Sequence, residues 1–118
     1  MDETKLLVDK IVEGIQEKKG KRITVVDMTK LDAACLYFVI CEGTSNTQIL
    51  AITDSVKEYV RNQTGERPIA VDGVQNALWI AMDYGDVMLH VFERETRQFY
   101  NLENLWSDAK LTEITDLE

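Results

Sequence analysis

The sequence predicts a single α/β domain, α+β in its mixed connectivity, with a five-stranded mixed sheet packed with helices. Three observations carry this. Two stretches show apolar residues at helical spacing, residues 3–18 and the segment from Ile49 to Val60. Leu36-Tyr37-Phe38-Val39-Ile40-Cys41 is a continuous apolar run, as expected of a central strand buried on both faces. Two further apolar runs hinge on Asp83-Tyr84-Gly85-Asp86, which reads as an antiparallel hairpin and argues against a purely parallel doubly wound sheet.

Taken in order, residues 3–18 place Leu7, Val8, Ile11, Val12 and Ile15 on one helical face. Asp2 is positioned to cap that helix, and Gly20 follows its basic end at Lys18-Lys19. Ile23 to Met28 is rich in β-branched residues and reads as a strand. After the apolar run, Gly43-Thr44-Ser45-Asn46 breaks the pattern, and Ser45 with Gln48 has capping-box spacing. The helix behind them carries Ile49, Ile52, Val56, Tyr59 and Val60 and stops near Gly65. Pro68 to Asp72 is a short strand, with Pro68 at its start or on an edge. The hairpin strands are expected over about 77–83 and 86–93. Phe99-Tyr100 opens a short segment leading into a helical turn at Leu102–Trp106. The acidic tail from Ser107 to Glu118 is expected to be loosely held. The predicted order is α-β-β-α-β-β-β-α.

The totals narrow the function classes. Hydrophobic residues make up 45% of 118 residues and proline occurs once, which favours an ordered globule over disorder. Thirteen basic against twenty-one acidic side chains give a formal charge of −8. That sign repels phosphate backbones, lowers the case for direct nucleic-acid readout and suits a basic protein partner. It also serves simply to keep a small protein soluble. Six residues of extended chain would hold Cys35 and Cys41 roughly 20 Å apart, too far for a disulfide without a sharp bend. Both are expected to be reduced and buried. No apolar run approaches the roughly 20 residues of a membrane span. The first residues lack the basic region and apolar core of a secretion signal, so a cytoplasmic protein is expected.

The most informative stretch is the hairpin. A two-residue turn at Tyr84-Gly85 would pair Asp83 with Asp86 and set Trp79 opposite His90 and Ala81 opposite Met88. Alternation then puts Leu78, Ile80, Met82, Val87, Leu89 and Val91 on an aliphatic core face. Trp79, Ala81, Asp83, Met88, His90 and Phe92 share the other. Two readings of this mixed face compete. Another element covers it, or it docks a partner with Trp79 as anchor. His90 is the single histidine, and the cysteines sit on another strand, so no zinc site is expected. Asp83 and Asp86 beside Gly85 read as turn acids rather than a metal pair. No serine lies in a nucleophile elbow. No cofactor, metal or catalytic group is expected.

Gly43-Thr44-Ser45 opening a helix, Asp72-Gly73, Trp79 with Asp83-Tyr84-Gly85-Asp86 and His90-Val91-Phe92, and finally Arg97-x-Phe99-Tyr100-x-Leu102-Glu103-x-Leu105-Trp106 together resemble the signature of the ribosomal silencing factor family (RsfS, YbeB or Iojap). The resemblance spans about residues 4–110, and divides the chain into a silencing-factor domain, 1–110, and an acidic tail, 111–118. Departures are small: Asp72 stands where Glu is common, and Leu36-Tyr37-Phe38 replaces an Ala-Asp or Cys-Asp type of sequence. The resemblance implies a non-enzymatic factor that binds the large ribosomal subunit through its protein number fourteen. It implies that subunit joining is blocked and translation repressed when nutrients are short, and that homodimers form in isolation. It implies a partner-binding set of Trp79, Asp83, Tyr84, Met88, His90 and Phe92, with Asp72 and Tyr100 at the rim. It also implies a nucleotidyltransferase-like fold without the catalytic acids, because the strand Ile69-Ala70-Val71-Asp72-Gly73 carries one acid and not the pair that would hold magnesium. A large-subunit assembly factor or adaptor is the alternative, and a nucleotidyltransferase-like enzyme a weaker one.

Overall fold

A computed structural model describes residues 3–105 and 108–116. Its elements are α1 (Glu3–Glu17), β1 (Lys21–Asp27), β2 (Tyr37–Gly43), α2 (Asn46–Thr64), β3 (Ala70–Asp72), β4 (Trp79–Asp83), β5 (Val87–Glu93), α3 (Arg94–Tyr100), α4 (Leu102–Leu105) and β6 (Lys110–Glu113). The sheet is mixed and six-stranded, in the order β3-β4-β5-β2-β1-β6. Among the described residues, only β2 and β5 pair in parallel, at the centre. The expected α/β class holds, with one strand more than the sequence indicated.

The two long helices cover one face. α1 buries Leu7, Val8, Ile11 and Ile15, and α2 buries Ile49, Ile52, Val56 and Val60. They pack on Val39, Cys41, Ile80, Met82, Leu89 and Val91 of the sheet. Each such side chain contributes about 1.5–3 kcal/mol by leaving water. The helices cross at Gly14, where an added Cβ would lie 3.0 Å from the Val56 Cα. Ser55 Oγ donates to the Gly14 carbonyl at 2.8 Å and locks the crossing.

The start of α2 is capped, but not as a reciprocal box. Ser45 Oγ accepts from Gln48 N at 3.1 Å, as expected. Gln48 Oε1 instead accepts from Thr44 N and Thr44 Oγ1, and its Nε2 donates to the Lys18 and Lys19 carbonyls. One side chain therefore ties the end of α1 to the start of α2. Gly65, at φ +80°, closes α2 by donating to the Arg61 carbonyl. The expected Asp2 cap lies outside the described residues, as does Trp106 at the end of the expected 102–106 turn.

Two expectations need correction at the C-terminal end. The segment before Phe99 is a helix, α3, that the sequence reading missed. It has no apolar stripe, and its buried side chain is Arg97. Its signal was the cap: Glu93 accepts from Glu95 N, Thr96 N and Thr96 Oγ1. The tail expected to be loosely held supplies β6, antiparallel to β1 with Val26 opposite Leu111. Without it β1 would present an open row of hydrogen-bonding groups.

Candidate functional site

The sheet face opposite α1 and α2 is assembled from one parity of every strand. Register sets Phe38 beside Met88, Ile40 beside His90 and Glu42 beside Phe92 across β2 and β5. On β4, Asp83 lies opposite Met88, Ala81 opposite His90 and Trp79 opposite Phe92. The expected register is therefore displaced by two residues, and Trp79 faces Phe92 rather than His90. A two-residue slip preserves the faces, so the predicted division into aliphatic and mixed sets survives, except that Leu78, placed in the aliphatic core, is 45% exposed. The cause is the loop. Asp83 Oδ1 captures the Gly85 N–H at 2.7 Å, and Tyr84 N donates to the Val87 carbonyl at 2.9 Å. These bonds move the two-residue turn from Tyr84-Gly85 to Gly85-Asp86, with Tyr84 and Val87 flanking it.

This face is covered at both ends and partly open between. A second apolar cluster of Val26, Met28, Cys35, Ile40, Phe92 and Leu102 runs from the segment 28–36 at one end to α4 at the other. There Arg97, buried, reaches from α3 onto the sheet. Its Nη1 donates to the Arg22 carbonyl at 2.6 Å and to Glu42 Oε1 at 3.3 Å. Its Nη2 donates to Thr24 Oγ1 and Glu103 Oε2 at 3.1 and 2.9 Å. Arg22 sits in the left-handed region (φ 51°) at a bulge between β1 and β2, which brings its Nε to 3.4 Å from Glu42. This network fixes α3, and so fixes Tyr100 at its end.

Between the covers, Phe38, Trp79, Ala81, Asp83 and Met88 are half-buried. Trp79 is held on three sides. Its ring stacks on Phe92 at 5.0 Å between centroids and lies 4.6 Å from Tyr100. Its indole Nε1–H donates to His90 Nδ1 at 2.9 Å. That acceptor role requires a neutral imidazole carrying its proton on Nε2. Burial enforces the neutral form, lowering the His90 pKa to about 4. Nε2 is buried and has no hydrogen-bond partner among the described residues. The ring of Phe38 meets His90 edge-on at 4.6 Å.

The structure thus divides the eight expected contact residues. Trp79, Asp83 and Met88 share the half-open patch, and Tyr100 and Asp72 are exposed around it. Tyr84, His90 and Phe92 are buried, at 6%, 4% and 0% exposure, so they do not form a free surface. Tyr84 belongs to the core on the helix-covered side, where burial raises its pKa to about 12. His90 and Phe92 lie beneath Trp79 and orient it. Two side chains were missed as site residues. Phe38 was read only as part of a buried strand, and Phe99, 81% exposed beside Tyr100, was read as a signature position. Phe99 packs against Tyr100, which packs on Trp79, so a large exposed aromatic side chain continues the half-open patch. Among the described residues, no group of three or more His, Cys, Asp and Glu side chains could hold a metal ion.

The chain matches the family model described as "Ribosomal silencing factor during starvation" over residues 1–118. It is 36% identical over 98 residues to the ribosomal silencing factor RsfS of Bacillus subtilis, covering 83% of this chain and 82% of that one. Identity to RsfS of Halalkalibacterium halodurans is 33% over 108 residues, covering 92% of each. A more distant relative, the mouse "Mitochondrial assembly of ribosomal large subunit protein 1", is 29% identical over 91% of this chain and 50% of its own length. A solved structure from Chromobacterium violaceum superposes with a TM-score of 0.82 at 28% identity, covering 87% of this chain and 85% of that one.

Proposed function

This chain belongs to the ribosomal silencing factor family, and from that premise we propose that it binds the large ribosomal subunit through ribosomal protein number fourteen, obstructs joining of the small subunit and so represses translation when nutrients are short. The protein acts by occupancy, in the cytoplasm, without cofactor or chemistry. The observation that carries the reading is the half-open patch of Phe38, Trp79, Met88 and Tyr100 with Asp83 and Asp72 around it. An aromatic anchor within an apolar centre, with charge outside it, suits a non-obligate protein interface. A standard interface needs roughly 800 Å² from each side, about a ninth of the 7073 Å² this chain exposes. The net charge of −8 steers the domain toward a basic ribosomal protein and away from bare ribosomal RNA. Self-association into homodimers belongs to the same proposal.

Co-sedimentation with separated subunits tests it. Wild-type protein is expected to travel with large subunits and not with small ones. Absence from the large-subunit fraction at micromolar concentration would refute the proposal. A second reading, assistance to large-subunit assembly, is favoured by the name of the mouse relative. Recovery with precursor particles but not with mature large subunits would select it.

A further inference from the structure

Beside the Trp79 patch lies a cavity of about 200 Å³, between β2, the hairpin loop and the segment 28–36. Met28, Ala33, Cys35, Phe38 and Met88 supply apolar walls, and Asp83 supplies a carboxylate. We propose that this cavity receives one lysine or arginine side chain of the ribosomal partner, its aliphatic stem against Met28, Phe38 and Met88 and its cationic head on Asp83. The inference deepens the docking function and rests on it.

The occupant follows from the lining. Asp83 is the single carboxylate among the described lining residues, and no cation lines the cavity. Its Oδ1 is pinned by the Gly85 N–H, so the charge cannot swing away without breaking the turn. Asp86 adds to the same field: burial raises the Cys35 thiol pKa, and the carboxylates of Asp83 and Asp86 raise it further. A wholly apolar guest would strip water from Asp83 without supplying a counter-charge, which is unfavourable. An anionic guest would be repelled. Long basic side chains satisfy both walls at once, because they bury their methylenes while presenting charge at the tip. Phe38 offers a ring to the same cation. Continuity with Trp79 comes through Met88, which lines the cavity and pairs with Asp83 on the hairpin.

Affinity for large subunits, measured across a salt series, separates this inference from the reading beneath it. Asp83→Asn keeps the oxygen that accepts from Gly85 but removes the charge. It is expected to weaken binding about tenfold at 0.1 M salt and to flatten the salt dependence. Ala33→Leu fills the cavity and is expected to weaken binding by a similar factor. If Ala33→Leu fails to fold, alkylation of Cys35, followed by mass spectrometry of this chain, replaces it; bound large subunits are expected to slow labelling at least tenfold. Loss on Ala33→Leu with none on Asp83→Asn would overturn the proposal in favour of an apolar occupant. Wild-type binding by both variants, while Trp79→Ala fails to bind, would overturn the cavity proposal and leave the docking function standing. Wild-type binding by all three would remove both.

Discussion

Acidification destabilises this domain through His90. In the folded chain the imidazole is buried and neutral, and its pKa is lowered to about 4 from an ordinary 6.5. Its Nδ1 lone pair accepts the Trp79 indole N–H, so protonation there would break the bond as well as bury a charge. The unfolded chain takes up a proton near pH 6.5 and the folded chain does not until about pH 4. The stabilisation is therefore complete above 6.5 and falls as pH drops, by about 1.4 kcal/mol per pH unit. The full interval from 6.5 to about 4 amounts to about 3 kcal/mol, a large share of a typical 5–15 kcal/mol domain stability. Urea denaturation between pH 7.5 and 5 measures it, with His90→Gln as the control. Glutamine retains an acceptor for the indole but does not titrate. Wild type is expected to lose about 2 kcal/mol more than the variant between pH 7 and pH 5. Parallel profiles for the two proteins would refute the buried neutral imidazole.

Three further outcomes follow from the same geometry. Trp79→Ala removes a ring that is only half-buried, so the domain is expected to stay folded while affinity for large subunits falls at least tenfold; a collapse in melting temperature would make Trp79 a core residue. Arg97→Met strands Glu42 and Glu103 in a buried network and is expected to cost about 3–5 kcal/mol, read by chemical denaturation. Gly73→Ala places a Cβ 2.0 Å from the Trp79 carbonyl at a residue with φ +94°, and is expected to lower stability by at least about 1–3 kcal/mol in the same assay.

Much of the framework was legible because its signals are periodic. The apolar spacing of α1 and α2, the solid run of β2 and the alternation along β4 each follow from which face is buried. The misses share a different cause. The hairpin register depends on whether Asp83 bonds its own backbone, which strand alternation does not encode. Helix α3 carries no apolar face, since Arg97 is its buried contact and a cap at Glu93 its only local mark. Strand β6 forms because β1 needs a partner on its outer side, a tertiary demand absent from the tail's own composition. At the site, the mixed face was visible in the hairpin, but the burial of His90 and Phe92 was not. Phe92 is covered by Leu102 of α4 with Met28 and Cys35 of the segment 28–36, and His90 by Trp79 and Phe38, partners that only the folded chain brings together.

The central claim is that docking of this patch prevents subunit joining, and a joining assay tests it most directly. Large subunits saturated with the protein are mixed with small subunits, and light scattering follows the formation of joined ribosomes. The account predicts that joining falls in step with occupancy, that Trp79→Ala restores it at equal concentration, and that excess large subunits titrate the effect away. Normal joining by large subunits that demonstrably carry the protein would contradict it.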